Sequence, residues 1–261
     1  VTVRVLFSLA CLGLTLLADP VPVRYAEGRV HGFLVLRDES GKLLASGRLT
    51  QAVNGARVSS ELAFRFLDGS LHQETTVFLQ RRTFQLVSYH QVQKGPSFKR
   101  PIDMTVDADS GQVKIRYTDE DGQEKSIEER MKLPPDLANG MVPTLLGDVD
   151  PKVNMTTVSM LVATPKPRLV KLEMSPLEED SFTVGGVAAK AMRYQVKVKI
   201  GGVAGVIAPV VGKQPPDTQI WMALGKVPGF LKMQGQLFQD GPIWTIELAS
   251  PVWPKRAAPK Q

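Results

Sequence analysis

Cysteine is nearly absent from this 261-residue chain, which has Cys11 and no other. A lone thiol cannot close an intrachain disulfide, and because Cys11 sits in an apolar N-terminal run, removal of that run would leave no thiolate chemistry. Histidine is almost as scarce: His31, His72 and His90 stand in separate segments without paired ligand spacing, so no metal site is expected. No stretch of a dozen residues keeps a strong 3.6-residue period, which disfavours a parallel α/β scaffold. A Gly-x-Ser-x-Gly elbow is lacking, and nothing else names a reaction or a cofactor. Charge of one sign is also in short supply. The chain has 32 basic and 26 acidic residues, a net of +6. Arg81-Arg82, Lys99-Arg100 and Lys197/Lys199 lie scattered among acidic neighbours rather than gathered with aromatics, so nucleic acid is not an expected partner.

Long apolar runs are missing except at the start. Arg4 precedes an uncharged stretch from Val5 to Ala18, and Asp19-Pro20 follows. This is the layout of a bacterial export signal over residues 1–18, cleaved near Ala18. At 14 residues the stretch falls short of the roughly 20 that a spanning helix needs, so no transmembrane span is expected after cleavage. A lipoprotein reading would lipidate Cys11, but Ser8-Leu9-Ala10 lacks the usual leucine three places before it. The expected location is periplasmic or secreted.

From Arg29 onward apolar residues recur with a period of two, which puts alternate side chains on opposite faces of a sheet. Met192, Tyr194, Val196, Val198 and Ile200 alternate with Arg193, Gln195, Lys197 and Lys199. The same pattern runs through Leu62/Phe64/Phe66, Val113/Ile115/Tyr117, Val170/Leu172/Met174 and Trp244/Ile246/Leu248. Between such runs stand Asn54-Gly55, Asp68-Gly69, Ser110-Gly111, Asp121-Gly122 and Asp240-Gly241, dipeptides that favour tight hairpins. The expected fold is all-β: an antiparallel meander forming a large curved sheet, half-barrel or barrel, with at most one or two short helices. A single domain over 19–253 is expected, with possible halves 24–133 and 148–253 around a Pro/Gly seam at 133–147, then a frayed basic tail at 254–261. Within the seam a short helix is expected from about Asp136 to Asn139-Gly140, with another turn through Leu146.

Two regions attract a functional reading. Residues 201–213 are uncharged until Lys213 and rich in glycine; Ile207 and Gln214 stand where a phosphate-binding loop needs glycine and Ser or Thr, so that motif fails. Val206 and Ile207 would instead belong to an apolar lid, or to a buried connection. Aromatics then gather at Trp221, Phe230, Phe238, Trp244 and Trp253, as core or as the wall of an apolar pocket. Tyr194, Trp221, Phe230 and Trp244, with Val206 and Ile207, are the candidate ligand-binding residues. Glu124, Glu128 and Glu129 lie among Lys125, Arg130 and Lys132 and read as a solvated edge with ion pairs rather than a glycosidase pair.

The run Thr218-Gln219-Ile220-Trp221-Met222-Ala223-Leu224-Gly225-Lys226-Val227-Pro228, followed by Leu231-Lys232-Met233, resembles an exported bacterial β-rich family of uncharacterised function. That family is loosely similar to lipoprotein carriers of the LolA and LolB type. The resemblance implies a curved sheet with an apolar concavity and carries over no catalytic residues. Three functions remain open: a carrier of a lipid, acyl chain or other apolar ligand; an envelope interaction or structural protein whose core is filled by its own side chains; and a hydrolase without a visible motif. The export reading predicts that the intact mass of the exported protein begins near Asp19; a mass that retains residues 1–18 contradicts it.

Overall fold

The computed structural model describes residues 20–119, 121–164, 166–184, 187–199 and 215–249. The expected export signal, the 201–213 segment and the basic tail lie outside them. Among the described residues, fourteen strands form one antiparallel sheet. The first run comprises β1 (Val30–Arg37), β2 (Leu43–Asn54), β3 (Arg57–Phe66), β4 (Leu71–Gln80), β5 (Phe84–Lys94), β6 (Ile102–Asp107), β7 (Gln112–Thr118) and β8 (Glu124–Arg130). A short helix α1 (Val142–Asp148) follows, then β9 (Thr156–Thr164), β10 (Lys166–Val184), β11 (Val187–Lys199), β12 (Thr218–Ala223), β13 (Gly229–Gly235) and β14 (Trp244–Leu248).

Each run is a meander of neighbours, and β14 pairs with β1 to join them, Leu36 opposite Ile246. The sheet is curved but its ladder is not closed, because β8 and β9 are its two ends. Four of the turn dipeptides place their glycine at positive φ: Gly55, Gly69, Gly111 and Gly122. In the fifth the left-handed residue is Asp240 instead; a side chain on Gly241 would collide with the Phe238 ring.

Strand alternation delivers the core. Val58, Phe78, Met104, Val113 and Ile115 from the first run face Val158, Leu172, Met174, Tyr194, Val196, Ile220 and Met222 from the second. Between these walls lies the seam, which contributes Leu137, Ala138, Met141, Leu145 and Leu146 to the same cluster, with Val149 just beyond it. Removing each large apolar side chain from water stabilises the fold by about 1.5–3 kcal/mol before entropy costs. The concavity is therefore not an open trough among the described residues; the chain fills it with its own segment.

The seam also departs from its expected local structure. Residues 136–139 are not helical. They run along the outer edge of β9, where the Ala138 N–H donates to the Ser159 carbonyl at 2.8 Å and the Ser159 N–H to the Asp136 carbonyl at 3.1 Å. Asn139 then substitutes for a strand residue, its amide donating to the Leu161 carbonyl and accepting from the Leu161 N–H, both at 2.8 Å. The helix begins after Gly140, with Pro143 in its first turn where a missing N–H costs little.

Gly140 has φ of +69°, and a side chain there would fall on the Thr76 hydroxyl; Gly122, with φ of +76°, has open space around it. Gly140→Ala is expected to lose about 2–4 kcal/mol in urea unfolding, from left-handed strain plus overpacking, against about 1 kcal/mol for Gly122→Ala. Equal losses would show that the seam does not pack tightly on β4.

Candidate functional site

Alternation within β11 and β12 decides which candidate side chains meet. Tyr194 points inward, 2% exposed, in the same cluster as Ile220 and Met222. Burial, with the charge of Asp150 as a lesser cause, raises its hydroxyl pKa above the usual tyrosine value. Phe230 is partly buried and packs on both core clusters. Trp244 is buried in the second of them, its ring 5.4 Å from that of Phe66, 6.1 Å from Phe98 and 5.8 Å from Phe238. Trp221 does not join them. It sits between the inward Ile220 and Met222, so it faces the outer side, paired across the strands with Arg193 and Lys232. Its indole N–H donates to Asp180 at 2.6 Å, and the Lys232 ammonium lies 4.8 Å from the ring centroid. As a wall of the interior Trp221 is misplaced, and Val206 and Ile207 lie outside the described residues.

The space left around Tyr194 is small. A cavity of about 120 Å³ is bounded by Tyr194, Met192 and Met222 from the second run, Leu146 from the seam and Val149 just after it, and Arg24 and Tyr25 from the strap formed by residues 20–29 ahead of β1. The strap is fastened at both ends. Phe84 donates its N–H to the Val21 carbonyl at 3.1 Å, and the Asp148 carboxylate accepts the backbone N–H groups of Arg24 and Tyr25. Burial raises the Asp148 pKa despite these bonds. Arg24 adds an ion pair with Asp150 at 3.2 Å.

Sequence reasoning missed a polar cluster inside the sheet. His72 is 1% exposed; its Nδ1 lies 3.0 Å from Gln93 Nε2, and its Nε2 lies 3.3 Å from Glu74 Oε1. Gln93 also donates to the Leu237 carbonyl at 2.9 Å. Nε2 is buried and makes no hydrogen bond among the described residues, although it faces the Glu74 carboxylate. Burial raises the Glu74 pKa, but the neighbouring His72 ring and the Tyr89 hydroxyl outweigh it and hold the carboxyl below its ordinary 4.5. Tyr89 is pushed well above its usual value, by burial first and the Glu74 charge second.

His72 and Glu74 share a face at i, i+2, a spacing readable in sequence. The inward turn of Tyr89 was not readable, because the β4–β5 register shifts at Val77/Phe78 and breaks the alternation. The cluster can hold a proton and fix the interior; it lies apart from the 120 Å³ cavity, and of its members Tyr89 alone lines the depression of about 260 Å³ near His90 and Lys114. No group of three potential metal ligands exists among the described residues.

The class defined by these features is an all-β protein built on one open, curved antiparallel sheet with a self-packed interior. No family model and no curated protein matches the sequence. Among solved structures it is similar to the beta-barrel-like protein of Domain of Unknown Function DUF1849 from Brucella abortus. The TM-score is 0.45 at 11% identity, over 89% of this chain and 97% of that one.

Because the Glu74 pKa is lower in the folded state than in the unfolded chain, its contribution to stability is full above the unfolded value and lost as pH falls through the folded one. Unfolding followed from about pH 6 to about pH 3 should therefore show a shallower acid loss in Glu74→Gln than in the native chain. Equal slopes contradict the cluster as drawn.

Proposed function

We propose that this is an exported cell-envelope protein that works as a rigid interaction scaffold, docking a protein partner on its outer surface, rather than as a carrier of an apolar ligand. The observation that supports this reading is the occupied interior. Residues 136–149 stand where a carrier would hold its cargo, and the residual 120 Å³ is well below the roughly 300–1,000 Å³ of small-molecule pockets. An acyl chain would have to expel Leu137, Met141, Leu145 and Leu146 from the core. Its methylenes would gain about 0.8 kcal/mol each, offset by exposure of comparable apolar area on the expelled segment.

The test is native mass spectrometry of the protein purified from its own envelope, before and after incubation with envelope lipids. A clean apo mass in both samples is expected. A lipid-sized adduct that is lost on denaturation overturns the scaffold reading in favour of the carrier.

A further inference from the structure

The two ends of the sheet are treated differently. The β9 edge is covered by residues 136–139, whereas β8 pairs with β7 and with no other strand among the described residues. In the β7–β8 ladder the pairs Asp119/Gln123 and Gly111/Met131 are hydrogen-bonded, so the odd-numbered residues of β8 direct their backbone groups to β7. Glu124, Ser126, Glu128 and Arg130 therefore turn theirs outward. An edge of unpaired N–H and C=O groups is a template for another strand.

Charges on an edge strand ordinarily discourage pairing, but their order here does the opposite for one partner. The strand reads Glu124-Lys125-Ser126-Ile127-Glu128-Glu129-Arg130. Set antiparallel to itself about Ile127, it places Lys125 opposite Glu129, Glu124 opposite Arg130, Ser126 opposite Glu128 and Ile127 opposite Ile127. A two-fold axis normal to the sheet repeats both ion pairs. In this register the outward backbone groups of Ser126 face those of Glu128, as an antiparallel ladder requires, and each inner face continues into the other. Sliding one strand by two residues, the smallest slip that keeps faces and hydrogen bonds, sets Glu124 against Glu128 one way or Glu128 against itself the other. Glu124 and Glu129 have no ion-pair partner within the chain among the described residues, while Lys125 reaches Asp119 at 3.4 Å with its side chain 48% exposed.

We infer that β8 is a homodimerisation edge: two copies of this chain join their sheets antiparallel through Glu124–Arg130, in the register centred on Ile127. The inference stands on the edge strand alone and does not depend on what the interior holds. One strand is a small interface beside the roughly 1,200 Å² of stable complexes, so the dimer is weak, forming between about 10 µM and about 1 mM.

The experiment is sedimentation of the full chain against concentration, with Lys125→Glu, Glu129→Lys and their equimolar mixture, each checked for native circular dichroism and unfolding midpoint. Either single change turns both symmetry-related attractions into repulsions. At about 0.5 kcal/mol per cross-strand pair, this should weaken the dimer about 10- to 100-fold. The mixture restores Glu opposite Lys at both sites and should recover a heterodimer, which a folding defect cannot do. A native chain that stays monomeric to its solubility limit, single variants that dimerise normally, or a mixture that fails to associate each overturns the inference. None of these results bears on lipid uptake, so the scaffold reading is tested separately.

Discussion

The fold depends on the clamp between Asn139 and the β9 edge. A curved antiparallel sheet with an unpaired edge and an apolar hollow has two exposed liabilities, and one segment answers both. The Asn139 amide makes the pair of hydrogen bonds that a fifteenth strand would make with Leu161, and the chain beyond it drops Met141, Leu145 and Leu146 into the hollow. Each such hydrogen bond contributes only about 1 kcal/mol net, yet a buried Leu161 N–H or carbonyl left without a partner would cost about 1–3 kcal/mol. The arrangement is reinforced where Asp136, 1% exposed at its side chain, accepts from the Ser159 hydroxyl at 2.9 Å and the Lys171 ammonium at 3.0 Å. A charge buried to that degree needs both partners.

The same segment connects the two meanders and the strap. Val149 and Asp148 end the helix beside Arg24 and Tyr25, and the strap continues to the β4–β5 turn through Val21 and Phe84. At the opposite ends of these strands, Phe98, Phe238, Phe66 and Trp244 pack edge-on or tilted with ring centroids 5.3–6.1 Å apart. One end is thus closed by a strap and the other by aromatic rings. The long-range β1–β14 pairing holds the walls at the distance that the seam fits. Its cost is loop-closure entropy across most of the chain, which must be met before the contact forms.

Much of this was legible in sequence, for reasons particular residues make clear. Val113/Ile115/Tyr117 and Met192/Tyr194/Val196 declare their faces by period two, and Asn54-Gly55 or Asp68-Gly69 declare their turns through a left-handed glycine. The seam was recognisable as an interruption, but not its role. Asp136 to Asn139 carry helix-like signals, but the chain there makes turns around a single bridge from Leu137 to Ser159 on the neighbouring edge of β9. The inward positions of Phe64 and Trp244 followed from alternation, whereas that of Tyr89 depended on a bulge that leaves no mark in composition. Trp221 shows the limit of reading size as burial: a large ring on the outer face is supported there by Asp180, Arg193 and Lys232, which are distant in sequence. Glu124 to Arg130 read as a solvated edge with ion pairs; the edge is there, with Glu128 paired to Lys114 and Lys125 to Asp119, and its self-complementary order becomes meaningful once the ladder shows which backbone groups face outward.

The central claim is that residues 136–149 are an integral part of the folded sheet. Native-state hydrogen exchange at the Ala138, Ser159 and Leu161 amides tests it most directly. These three protons are donated within the clamp and should exchange only through global unfolding, as slowly as the slowest amides of β4 and β11. Exchange at the rate of exposed-loop amides, with the rest of the sheet still protected, would show that the segment lifts away on its own and that the interior is open after all.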